Sequence, residues 1–164
     1  KKIQLAQLEF KMAENIAYRH NLAEDFLCNT LGIPWFKVHK HAHQLEHAIT
    51  PLVVEKLAEF LGKPEFCPHG TPMPGQSLPE KSFTLDQAQA GSSIEVAMIG
   101  EDLEDSVELM RVLQNQQMMP GHKHTILERS EVMQSITLDN GNGPSMLPMH
   151  VAQKIIVIPS PVLA

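Results

Sequence analysis

Apolar residues recur near helical spacing from position 8 to 31, at Leu8, Met12, Ile16, Leu22, Phe26 and Leu27, and Gly32 is well placed to stop the helix they predict. A second stripe of the same period, Trp35, Val38, Ala42, Leu45 and Ile49, predicts a helix reaching about residue 49, with Pro34 acceptable in its first turn. Thr50 and Pro51 then read as the N-cap and first position of a third helix. Its apolar contacts would come from Leu52, Val53, Leu57, Phe60 and Leu61, and Gly62 would end it. Residues 1–62 thus predict a three-helix domain with a small core. Apolar burial is worth only ~25 cal/mol per Å², so pairing with a second copy is a reasonable way to bury more.

The pattern breaks at residues 63–80, where Pro64, Pro68, Pro72, Pro74 and Pro79, with Gly70 and Gly75, exclude regular helix or a central strand. This stretch reads as a linker. From 81 to 164 the period shortens to two. Strands are expected at 94–99, 124–129, 132–138, 145–147 and 155–158, with a short helix at 106–114 and a hairpin turn at Asp139-Asn140-Gly141-Asn142-Gly143. Five short strands and one inserted helix suggest a small, partly open barrel. The fold class expected is therefore multidomain, α followed by β.

The chemistry is concentrated in the second helix. His39, His43, Glu46 and His47 fall within an arc of ~100° on a helical wheel, beside the apolar stripe, while His41 points the other way. A solvated His-rich surface would give the same composition, but four ligand side chains on one stripe favour a metal site. Mixed nitrogen and oxygen donors suit a divalent first-row ion such as iron, manganese, nickel or zinc, whereas calcium prefers oxygen and structural zinc more often takes cysteine. His20 and Glu24 lie one turn apart on the first helix. By themselves they read as a surface hydrogen bond, and beside a second His-rich helix they become ligand candidates.

Two further clusters stay open. Cys67-Pro68-His69-Gly70 could be half a metal site, yet no second ligand pair with zinc-finger spacing accompanies it, and a structural turn is the preferred reading. Glu101, Asp102, Glu104 and Asp105 either favour the start of the following helix through its dipole or complete a metal shell built on the helices.

Composition narrows the function. The 164 residues are 43% hydrophobic and 20% charged, ordinary for a globular protein, and carry a net charge of −6 with His neutral. That balance argues against this chain gripping a phosphate backbone by itself. No apolar run approaches the ~20 residues of a membrane helix. Cys28 and Cys67 are distant and form no disulfide framework, so a reducing cytoplasm is the expected location. The opening Lys-Lys-Ile-Gln-Leu lacks an initiator Met, which suggests a piece of a longer protein.

Arg19-His20-Asn21-Leu22-Ala23-Glu24, Leu31-Gly32-Ile33 with Trp35, Lys37-Val38-His39 and Leu45-Glu46-His47-Ala48 stand in a specific order. They are followed by Cys67-Pro68-His69-Gly70 and Pro72-Met73-Pro74-Gly75, then Leu109-Met110-Arg111 and Met119-Pro120-Gly121. Together they resemble the diphtheria-toxin-repressor and manganese-transport-regulator family of metal-dependent transcriptional repressors, over nearly the whole chain. The resemblance implies a helical dimerisation domain followed by an SH3-like domain similar to small ferrous-transport accessory proteins. It also implies that a winged-helix DNA-binding domain precedes this portion, with Ile3-Gln4-Leu5 as the end of its wing, so that operator DNA is a partner only through that domain. The chain would act as a homodimer, with no membrane and no organic substrate.

Two metal sites follow from the resemblance, residue by residue. An ancillary site would take His20, Glu24 and His39, with Glu101 and Glu104 approaching from the SH3-like domain. A primary, activating site would take His43, Glu46 and His47, plus a ligand from the preceding domain. The metal implied is Fe(II) or Mn(II), with Ni(II), Co(II) or Zn(II) as substitutes. His43 stands where iron-responsive members carry Cys and manganese-responsive members carry Glu, which leaves the choice of metal open. The competing readings are a mononuclear metalloenzyme, for which no general base or cofactor motif is evident, and an interaction module that needs no metal. A sensor rather than an enzyme is the expectation.

Overall fold

A computed structural model describes the backbone of residues 2–161 and divides the chain into two compact units, Lys1–Ser77 and Leu78–Ala164. In the first unit, α1 spans Lys2–Asp25, a stretch with neither Gly nor Pro to interrupt it. Ile3, Gln4 and Leu5 are therefore helical, contrary to their expected place at the end of a wing. The helix widens into one π-helical turn, Phe26–Thr30, and the chain reverses at Gly32 with φ +71°.

A 3₁₀ turn, Trp35–Lys37, leads into α2, Val38–Leu45. This helix is shorter than its apolar period suggests, because the backbone turns after Leu45. Glu46 keeps helical angles and donates its N–H to Ala42 O at 2.9 Å, so Glu46 and His47 stay on the helical path. α3 covers Pro51–Phe60, capped by Thr50, whose hydroxyl accepts from Val53 N. Its end closes by two back-bonds, Gly62 N to Glu59 O and Lys63 N to Ala58 O, a Schellman arrangement that requires the positive φ of Gly62.

The segment whose Pro and Gly content suggested a linker is in large part packed into this unit. Met73 joins Leu22, Ile49, Val54 and Ala58 in one buried cluster, while Ala23, Leu27, Val38 and Ala42 form the other. Pro68 O accepts from Trp35 Nε1 at 2.9 Å, and Pro72 O accepts from Asn21 Nδ2 at 3.3 Å. Proline removes donors from the chain but leaves its carbonyls free to accept, so a segment that cannot join regular structure can still dock.

The second unit is a six-stranded antiparallel sheet in the order β1-β6-β2-β3-β4-β5. The strands are β1 Phe83–Thr84, β2 Ser93–Ile99, β3 Lys123–Ser130, β4 Ser135–Asp139, β5 Pro144–Pro148 and β6 Ile155–Pro159. Bulges at Val96/Met98 and Ile126/Glu128 bend it around Ile94, Ile99, Ile126, Ile136 and Leu138, all buried. α5, Val107–Asn115, follows Ser106, whose hydroxyl caps it by accepting from Leu109 N. Single-turn helices α4, Glu101–Glu104, and α6, Met149–Ala152, complete the unit. The sixth strand, β1, is two residues long and carries no readable period. β4 starts at Ser135 rather than Val132, since Gln134 adopts φ +48° and Val132 and Met133 are exposed. The β4–β5 turn lies where its Asp, Asn and Gly content puts it, with Asp139 Oδ1 accepting from Gly141 N and Gly143 N.

Between β2 and α4, Gly100 donates to Lys154 O at 2.7 Å, and a Cβ at position 100 would sit 2.6 Å from that same oxygen. Gly100→Ala should therefore cost about 1–3 kcal/mol, read as a lower urea midpoint with an unchanged m-value. A midpoint equal to wild type would show that the β6 side yields freely.

Candidate metal centre

The C-terminal half of α1 and the N-terminal half of α2 run against each other, and three polar atoms converge where they meet. His20 Nε2 lies 3.0 Å from Glu24 Oε1 and 3.1 Å from His39 Nδ1, and His39 Nδ1 lies 3.1 Å from the same Glu24 oxygen. The three atoms form a nearly equilateral triangle. Donors held ~2.1 Å from a common first-row cation at right angles to one another would be spaced by roughly 3 Å, so this triangle fits one face of a coordination shell.

The ring of His20 is fixed from behind. Its Nδ1 lies 2.6 Å from Glu46 Oε2, and an ionised carboxylate can only accept, so Nδ1 carries the hydrogen. In the neutral ring that choice leaves the Nε2 lone pair for a metal, the arrangement in which a ligating imidazole donates its other N–H to a carboxylate; in the protonated ring Nε2 donates to Glu24. Glu46 is buried, and its second oxygen faces His43 Nδ1 at 3.1 Å and His47 Nε2 at 3.2 Å. The sequence separates these residues into two sets; Glu46 joins them. His43 and His47 remain open, with side chains 68% and 64% exposed.

Glu24 is the most constrained member, at 1% exposure. Burial alone would raise its pKa, but hydrogen bonds from His20, His39 and His69 outweigh it and hold the carboxyl well below the usual carboxylate range. For His20, burial pulls the pKa down, while the hydrogen bonds and charge of Glu24 and the hydrogen bond to Glu46 raise it overall. The third imidazole facing Glu24, that of His69, comes from the turn after α3, with Nδ1 3.2 Å from Glu24 Oε2. From sequence, His69 reads as part of a structural turn. The Cys-Pro-His-Gly stretch was the only signal, and nothing in its spacing reveals the fold-back onto α1.

In the second unit, Glu101 opens α4 and is exposed, and Glu104 closes it and is buried. Among the described residues, no helix is long and apolar enough to cross a membrane.

The carboxylates around His20 should be visible in its titration. In the metal-free protein its ring should protonate with a midpoint above the ordinary 6.5, and Glu46→Gln should lower that midpoint, followed by long-range ¹H–¹⁵N correlation spectra. A wild-type midpoint below 6.5 would mean burial, and not the carboxylates, governs the ring.

Residues 10–75 match the family model of the iron-dependent repressor metal binding and dimerisation domain. The chain is 27% identical over 158 residues to the iron-dependent repressor IdeR of Mycobacterium leprae, covering 89% of this chain and 68% of that protein. The Mycobacterium tuberculosis counterpart is 26% identical over 136 residues, and this chain spans 59% of its length. Against the diphtheria toxin repressor of Corynebacterium glutamicum the identity is 33% over 107 residues, 63% of this chain and 45% of that one. The fold is similar to that of a solved manganese-dependent transcriptional repressor, with a TM-score of 0.80 at 28% identity, covering 92% of this chain and 83% of the other. A structure of ScaR with bound Zn²⁺ gives 0.79 at 25% identity, over 94% and 76%. These likenesses extend across both units, so the helical unit is followed by an SH3-like one. Over most of its length the chain is thus similar to iron- and manganese-dependent transcriptional repressors, and its residues 10–75 match the metal binding and dimerisation domain of the iron-dependent ones.

Proposed function

We propose that this chain is the metal-sensing and dimerising portion of an iron- or manganese-dependent repressor, acting in the cytoplasm, with a divalent ion as co-repressor. The convergence of His20 Nε2, Glu24 Oε1 and His39 Nδ1 within 3.1 Å of one another carries this reading. These three residues bind one ion. A second set, His43, Glu46 and His47, binds another and needs a further ligand from outside the chain, in keeping with the exposure of His43 and His47. A bound ion supplies positive charge that ties its ligands together and favours one arrangement of the helices.

The chain's own residues transmit that preference. His20 and Glu24 sit on α1, which continues toward the N-terminus, and His39 sits on α2. Holding them together biases the direction in which α1 leaves the unit, and differential affinity for that arrangement shifts its population. Operator DNA is contacted by a winged-helix domain preceding α1, where the spacing of two recognition helices sets the fit to half-sites. The chain works by binding and not by turnover.

The dimer is supported by α1 itself. Ile3, Leu5, Leu8, Phe10 and Met12 are each more than half exposed, a run of apolar side chains that a second copy would cover. Phe10→Glu should convert the dimer to monomer in sedimentation velocity, with helicity retained. A wild-type chain that sediments as a monomer at tens of micromolar, or a dimer indifferent to Phe10→Glu, would count against this surface.

Elemental analysis after dialysis against Mn(II), or Fe(II) without oxygen, tests the sites. About one tightly held ion per chain is expected, lost in His39→Ala and kept in His43→Ala. No ion retained by wild type, or one retained equally by His39→Ala, would sink the assignment. Because the pKa of His20 is raised, proton competition should begin above pH 6.5 and deepen as the pH falls. Isothermal titration giving a flat Mn(II) affinity from pH 7.5 to 5.5 would exclude imidazole ligation.

A further inference from the structure

Glu24 offers one oxygen, Oε1, to His20 and His39, and turns the other, Oε2, to His69. His69 is fully buried, and its position is set by Trp35. Its Nε2 lies 3.1 Å from Trp35 O, and the rings meet edge to face at 4.9 Å. One residue earlier in the turn, Pro68 O accepts from Trp35 Nε1 at 2.9 Å. A carbonyl oxygen only accepts, so Nε2 of His69 carries a hydrogen. On the other side of the ring Nδ1 faces the carboxylate of Glu24 at ion-pair distance, 3.2 Å from Oε2. The ring is a fixed strut between the backbone at the start of the second helical segment and the carboxylate on α1.

We propose that His69 is a positioning residue for metal: by holding Oε2 of Glu24 it makes that carboxylate a one-oxygen ligand, with Oε1 turned toward His20 and His39. This rests on the assignment of His20, Glu24 and His39 as ligands. Without the strut, Glu24 can rotate about its last torsion and offer both oxygens or neither to the same ion. The turn at 67–70 thereby takes part in metal recognition from a distance.

Cys67 sets up the competing arrangement. It is buried in the same turn, and its sulfur, Glu24 and His69 lie within 4.8 Å of one another, close enough to be a ligand set themselves. Burial pushes the Cys67 thiol up to about 11, so without metal it is an S–H near neutral pH.

The test compares wild type with His69→Phe, which keeps a ring against Trp35 and removes both donors, His69→Leu as a second donor-free variant, His69→Gln, which returns one amide N–H, and Cys67→Ser. Mn(II) affinity is measured by isothermal titration, and the visible d–d spectrum of the Co(II) form reports the carboxylate's binding mode. Either donor-free variant that melts cooperatively without metal decides the matter. It should bind Mn(II) ~10–100-fold more weakly with an altered Co(II) spectrum, His69→Gln should recover part of the loss, and Cys67→Ser should match wild type. Wild-type affinity and spectrum in a folded donor-free variant would overturn the inference. So would a whole ion lost in both His69→Phe and Cys67→Ser, which would make these residues ligands. Failure of the underlying site reads differently: wild-type binding indifferent to His39→Ala removes the site, and with it any role for His69 there.

Discussion

A carboxylate with 1% exposure in the middle of a small helical unit is the constraint around which this half of the molecule is arranged. An ionised group taken out of water must be matched by donors or it will not stay ionised. Glu24 is matched by imidazoles from three parts of the chain, His20 one turn earlier on α1, His39 on α2 and His69 on the turn after α3. Each reaches it only if its own segment is in place, which makes the packing of α2 and of the Pro-rich turn conditions of the same electrostatic fact. Polar atoms brought together to satisfy a buried charge are also atoms brought together for a cation, and both uses draw on one geometry.

Much of this was legible in the sequence because period and punctuation agree. The three helices, the Thr50-Pro51 start, the stops at Gly32 and Gly62 and the hairpin at 139–143 all follow from local rules whose physical cause lies within a few residues. The shortfalls share a cause too. β1 is too short to have a period, and α2 ends at Leu45 although apolar spacing runs on to Ile49, because Ile49 is buried from a turn as readily as from a helix. At the centre, helical spacing brings His43, Glu46 and His47 together, whereas the His20–Glu46 hydrogen bond and the approach of His69 are tertiary events. Local sequence does not encode which way a proline-rich segment folds back.

Charge and chemistry point the same way in the family's terms. A chain with net charge −6 is poorly suited to holding DNA through phosphates. His43 offers a borderline nitrogen donor, while Glu46, shared between two groups of imidazoles, links them through one side chain. Preference among first-row ions would then reflect the whole set of donors rather than one distinctive ligand.

The apolar first half of α1 has a thermodynamic corollary. A helix whose side chains from Ile3 to Met12 find no cover in their own unit contributes little to that unit's folding while it stands alone. If another copy supplies the cover, the stability of the helix scales with how many copies are present. Dilution would then fray α1 from its exposed end toward His20, and a sensor made in few copies would lose the stiffness of its connecting helix before it lost its fold.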